Sequence, residues 1–222
     1  MNLLSVTTRK ATAAVAGAVL AGLAFGAATV TPVSAAADEA VTTTAVDPND
    51  ALLRAGQMPV VNEVQDWTRV ATRTGRISRF QPAPFAALGA NDKARRDFAL
   101  PGAQATNVVL TFDDTAEAAQ AYSAVRAWRQ HTDRKVPDGG RLLYTGKTKS
   151  VAVRSGVASY FDVAYKVDDS ALEGTFEWVG VTQRGATVSI VVWRVGGQDA
   201  TYDVDPTVAA LKAANAKLAR LG

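Results

Sequence analysis

Which side chains in this 222-residue sequence could do chemistry, and of what kind? Four aromatics sit at strand-like spacing: Tyr160 in "VASYFDVAYKVD" (157–168), and Phe176, Trp178 and Trp193 in "GTFEWVGVTQRGATVSIVVWRV" (174–195). Rings gathered on one sheet face offer a stacking floor, and a concave aromatic surface with a few polar groups is the usual shape of a small-molecule site. A second set is cationic. Arg126, Arg129, Arg134 and Lys135 follow one another closely, and Arg76 and Arg79 come from an earlier arginine-rich stretch. If the two stretches meet in space they form a patch suited to an anionic cell-wall polymer; separately they are solvated loop charges.

Reactive groups are scarce. The chain has no Cys and one His, which removes thiol nucleophiles and Cys/His zinc sites. His131 falls at the end of a helix pattern, where its protonated form suits the dipole. There is no Gly-x-Ser-x-Gly elbow and no phosphate-cradling glycine loop; Gly139-Gly140 is a turn after Pro137-Asp138. Asp113-Asp114 reads as a helix cap and Asp168-Asp169 as a hairpin turn, and "DDSALE" (168–173) lacks the spacing and turn glycine of an EF-hand. Nothing selects a carboxylate pair for glycoside hydrolysis. The expectation is a protein without catalytic residues, metal or cofactor.

The N-terminus sets the compartment. Arg9 and Lys10 precede the apolar run "ATAAVAGAVLAGLAFGAATV" (11–30), and "VSAAADEA" follows with small-x-small sites at Val33-Ser34-Ala35 and Ala35-Ala36-Ala37. That is an export signal over 1–37, to be cleaved. A lipid anchor would need a Cys. No later run is long enough to span a bilayer, so the mature chain is expected outside the cell, unanchored and monomeric. Without residues 1–37 the chain keeps 22 bases against 21 acids, too even a balance for a generic nucleic-acid binder. With no disulfide to lean on, stability has to come from an apolar core.

The elements that must position these residues follow from periodicity. Residues 38–47 are a Thr/Ala-rich linker, and 48–222 a single domain. Asp47-Pro48 starts a short helix ended by Gly56. Residues 57–97 read as a wrapping loop around Trp67, Phe80 and Phe85. "ATNVVLTF" (105–112) is a strand; Asp114 and Glu117 make a capping box for a helix over about 115–131. Short strands are expected at 141–145 and 149–155, longer ones at 157–168, 174–183 and 187–195, and a closing helix from Asp205-Pro206. Short links make the neighbours antiparallel. The class is α+β, a twisted antiparallel sheet of about 4–6 strands with helices packed on one face.

A two-residue turn at Arg184-Gly185 pairs Val181 with Val188, Val179 with Ile190 and Glu177 with Val192 on an aliphatic face. The other face then pairs Trp178 with Val191 and Phe176 with Trp193. Either the 57–97 loop buries these rings as a satellite core, or they floor a groove that the loop partly covers and Tyr160 extends.

The opening "ALLRAGQMP" with Trp67, the stretch "VVLTFDDTAEAAQAYSAVRAWRQH" (108–131), the late strands and the closing helix together resemble the extracellular sensor domain of PknH-type actinobacterial receptor kinases. The resemblance covers about 48–221. It implies an antiparallel sheet with helices and a cleft for an unidentified ligand, without catalysis. Members often carry disulfide-forming cysteines, which this chain lacks. The expected function is a secreted sensor-like domain binding a small molecule through Phe176, Trp178, Trp193 and Tyr160; the alternative is a surface protein holding a cell-wall polyanion on the basic patch.

Overall fold

A computed structural model describes residues 47–61, 66–133, 136, 139–198, 200, 202 and 204–220. The expected export signal (1–37) and all but the last residue of the linker expected at 38–47 lie outside the described residues. Among the described residues there are eight strands: β1 (Thr68–Val70), β2 (Asp92–Leu100), β3 (Ala103–Thr111), β4 (Arg141–Thr145), β5 (Lys149–Ser150), β6 (Val157–Lys166), β7 (Gly174–Arg184) and β8 (Thr187–Gly197). They pair antiparallel in the order β1-β2-β3-β8-β7-β6-β4, with β5 also on β6. The fold is α+β, and the sheet is larger than the 4–6 strands expected.

The extra strands come from the stretch read as a loop. In β2, Ala94, Arg96, Phe98 and Leu100 alternate with Lys93, Arg95 and Asp97, and the whole strand pairs with β3 from Asp92↔Thr111 to Leu100↔Ala103. Charge on both faces hides the period; β2 tolerates it because its ionic groups find partners. The short helix expected after Asp47 does not form. Asp47 Oδ1 accepts Asn49 N–H at 2.8 Å, and separate turns carry the chain through this segment.

Two helices sandwich the sheet, not one face of it. Helix α1 (Thr115–Ala127) starts where Asp114 Oδ1 accepts from Ala116 and Glu117 N–H, while Glu117 Oε2 accepts Asp113 N–H at 3.3 Å. Its buried Ala118, Ala121, Tyr122 and Val125 lie on the aliphatic face with Val108, Leu110, Phe161, Val179, Val181 and Ile190. Helix α2 (Pro206–Leu218), capped by Asp205, lies on the aromatic face with Leu211 and Ala214 against Trp178, Val191 and Trp193. Both faces of the sheet are apolar, so each needs a cover. The small residues of the aromatic face make room for α2. A Cβ on Gly180 would stand 3.0–3.1 Å from Leu211 side-chain atoms, and Asn215 Nδ2 reaches Thr182 Oγ1 at 3.0 Å. Each buried Leu or Val contributes about 1.5–3 kcal/mol.

The last hairpin turns at Gly185-Ala186, with Arg184 opposite Thr187, not at Arg184-Gly185. Gly185 takes φ +53, the left-handed position such a turn requires. The register therefore shifts by two residues. Because the side-chain period is two, both faces survive the shift while every partner changes: Trp178 meets Trp193, and Glu177 meets Arg194.

Candidate functional site

The four aromatics come together, but as core. Trp178 and Trp193 stack with centroids 4.0 Å apart at 7°, and Tyr202 sets its edge to both at 5.9 Å. Trp193 is 0% exposed and Trp178 4%. Trp193 Nε1 donates to Thr207 Oγ1 at 2.9 Å, which ties the pair to the first turn of α2. Phe176 is half-buried beside Trp178 at 6.4 Å. Tyr160 is buried under Lys149, whose Nζ stands 5.2 Å from the ring; burial, then neighbouring Asp205, pushes its phenol up to about 12. Among the described residues these rings are covered. Helix α2 closes over them, with Leu53, Met58 and Trp67 of the N-terminal region in the same cluster.

The described members of the expected basic patch each have a local partner or stand free. Arg126 lies against the Tyr122 ring at 5.5 Å, and Arg129 Nε donates to the Gly146 carbonyl at 2.6 Å. Arg79 lies against the Tyr165 ring at 5.4 Å. Arg134 and Lys135 lie outside the described residues. Arg76 lines a cleft, with other partners.

That cleft stands at one end of the aliphatic face, where the register lays a polar row across three strands: Gln104 on β3, Arg194 on β8 and Glu177 on β7. The segment 71–80 folds over it. Arg73 and Arg76 from this segment, Arg95 from β2 and Arg194 from β8 line a cavity of about 110 Å³ whose lining carries one carboxylate, Asp97. Asp97 is fully engaged. Arg95 grips it through Nε and Nη2 at 3.0–3.1 Å, Arg73 N–H donates at 2.6 Å and Thr106 Oγ1 at 2.5 Å. Arg73 Nη1 reaches Gln104 Oε1 at 2.7 Å, and Arg194 Nη2 donates to the Ile77 carbonyl at 2.8 Å. Among the described residues Arg76 has no hydrogen bond or ion pair and is exposed. The result is three guanidiniums held in place beside a fourth, Arg76, that is free to turn onto carboxylate or phosphate oxygens.

Behind Arg194 sits Glu177, 0% exposed. Its Oε1 accepts Ser78 Oγ at 2.5 Å; among the described residues its Oε2 has no hydrogen-bond partner, and it lies 3.7 Å from Arg194 Nε. Burial raises its pKa, and Arg194, Ser78 and Arg79 oppose the rise. Serine and carboxylate are both sealed, so the pair holds the 71–80 segment to the sheet and faces no substrate. Asp162, on the other face, is also raised, by burial and then by Asp205. Asp168 accepts from Ser170 N–H and Oγ, closing the turn expected there. His131 lies in the 3₁₀ turn that follows α1.

The 69–96 arginines were visible as a run, but Arg194 was not. Pairing Glu177 with Arg194 as cross-strand opposites would have revealed it.

No family model and no curated protein matches the chain. Among solved structures it is similar to a Pseudomonas aeruginosa protein of unknown function, PA94, at 15% identity and TM-score 0.31, over 47% of this chain and 70% of that one. Among the described residues no helix is long and apolar enough to cross a membrane.

Proposed function

We propose that this chain is an exported, non-catalytic, sensor-like domain that binds a small anionic molecule in the arginine-lined cleft. One observation carries the reading: four guanidiniums from three parts of the chain converge on a cavity whose only lining carboxylate is already saturated. Assembling like charges costs energy that an anionic ligand recovers, and the backbone and side-chain bonds to Arg73, Arg95 and Arg194 fix their positions beforehand. The N-terminal pattern supports export, and the resemblance to PknH-type sensors supports a binding cleft without chemistry. The cleft lies on the opposite sheet face from Tyr160, Trp178 and Trp193.

Isothermal titration with inorganic phosphate and with succinate tests this. Saturable binding of one of them is expected, and Arg76→Gln should weaken it by about 10- to 100-fold, the loss of one charge-assisted hydrogen bond. Trp178→Phe, which is remote from the cleft, should leave affinity unchanged. Binding untouched by Arg76→Gln, or no binding of either anion by folded protein, overturns the proposal.

A further inference from the structure

A second basic surface lies on the other side of the sheet, around the C-terminal half of α2. Consecutive strand residues leave opposite faces. Arg95 enters the cleft described above, whereas Arg96 turns toward α2 and donates Nη1 to the Leu53 carbonyl at 2.8 Å. Lys217, in the last turn of α2, donates Nζ to the Leu52 carbonyl at 2.7 Å. Leu53 is itself pinned to the sheet, its N–H donating to Asn107 Oδ1 at 2.8 Å. Two adjacent carbonyls thus hold two cations side by side. Arg54 and Arg220 join Lys217 around a groove of about 490 Å³. Burial lowers the Lys217 pKa, and Arg54, Arg96 and Arg220 lower it further against Asp50 alone. Arg96 is lowered likewise by burial, Arg69 and Arg54.

From the same Arg220 a second groove, of about 480 Å³, runs along α2. Arg154, Arg184 and Lys212 line it over a floor that includes Val153, Ala216 and Ala219. None of these cations enters an ion pair among the described residues. The helix dipole accounts for cations in the last turn of α2. It does not account for Arg54, Arg69, Arg96, Arg154 and Arg184, which arrive from five other places in the chain. A small anion would occupy one groove, not two end to end. A membrane would call for projecting apolar side chains, and the exposed large apolar residues, Leu143, Tyr144 and Leu172 among them, line neither groove.

We propose that the two grooves, joined at Arg220, form one track for an extended linear polyanion. The track is separate from the small-anion cleft and does not depend on it. The polymer lies along α2 with successive anionic groups against Arg54 and Lys217, then Arg220, then Lys212 and Arg184.

The probe is long-chain inorganic polyphosphate, with affinity measured between 50 and 200 mM salt. For about six contacts, affinity should fall by a few hundred-fold or more across that range. Arg220→Gln combined with Lys212→Gln, both exposed positions, should weaken binding and flatten the log–log salt slope by about 1.5. Arg126→Gln combined with Lys93→Gln makes the same charge change on the opposite sheet face and should leave both readouts unchanged. Equal effects of the two double variants overturn the track. So does orthophosphate competing as well per phosphate as the polymer, which would mean a small-anion site. Preferential binding to phosphatidylglycerol vesicles over polyphosphate also overturns it, in favour of a lipid surface.

Discussion

Truncating Trp193 tests the arrangement on which the rest of the aromatic face depends. The ring is fully buried, stacked 4.0 Å from Trp178, edged by Tyr202 and bonded to Thr207. Trp193→Ala removes a core indole, which costs about 3–5 kcal/mol in transfer and cavity energy. It also leaves the buried Thr207 hydroxyl without its donor, for about 1 kcal/mol more. The sum, about 4–6 kcal/mol, is a large share of the roughly 5–15 kcal/mol that holds a domain together. At about 2–4 °C per kcal/mol for a chain of this size, the midpoint should drop by about 8–24 °C. Thermal unfolding followed by far-UV circular dichroism reads this directly. Trp193→Phe keeps a ring but loses the Thr207 bond, and should fall between the two. Trp178→Ala should couple to Trp193→Ala by about 0.5–1.5 kcal/mol in a double-mutant cycle, because the pair shares one stack. A midpoint for Trp193→Ala within about 3 °C of the parent would refute the reasoning. It would mean that the indoles face solvent or a void and that α2 does not seal them.

Glu177 supplies a pH test. Its carboxyl is raised by burial, so the folded state holds a proton that the unfolded state has lost, and stability falls as pH climbs from the ordinary carboxylate range through the raised folded value. The stability of Glu177→Gln minus that of the parent, from urea midpoints across the acid-to-neutral range, should grow over that window and then level; a constant difference would contradict it. Asp162→Asn should behave with the same sign, since Asp162 is raised too. Gly156 has φ +78, and a Cβ there would collide with the Gln183 carbonyl; Gly156→Ala should cost upward of about 1 kcal/mol in chemical denaturation. Asn107 accepts from Leu53 N–H and donates to Ser189 Oγ and the Ile190 carbonyl. Asn107→Ala strands these buried partners, and a loss of about 2–4 kcal/mol in the same assay is expected.

How much of this was legible in the residues varies from element to element. The faces of the β7 and β8 hairpin were legible, because the register differs from the expected one by two residues and a shift of two preserves side-chain parity. Its partners differ from those that a turn at the local "RG" would give. Pairing Trp178 with Trp193 and Glu177 with Arg194 outweighs that local preference. The caps at Asp114 and Asp205 were readable, since capping is settled within one turn of chain. Strand β2 was not, because "DKARRDFAL" puts charges on both faces; Asp97 is stable there only because Arg95, Thr106 and the Arg73 amide converge on it.

The candidate sites divide along the same line. Residue types and periods alone determined the α+β class, the two closing helices, the absence of any disulfide and the lack of thiol chemistry. They also marked the aromatics as one face and the 69–96 segment as rich in arginine. Only the tertiary structure decided what covers each face. An amphipathic helix carries no mark of which side of a doubly apolar sheet it will join, and that choice turned an apparent aromatic groove into core. It likewise decided where the cations meet. Arg76 and Arg194, or Arg54 and Arg220, lie more than a hundred residues apart in the chain and act together only through packing that no local pattern encodes.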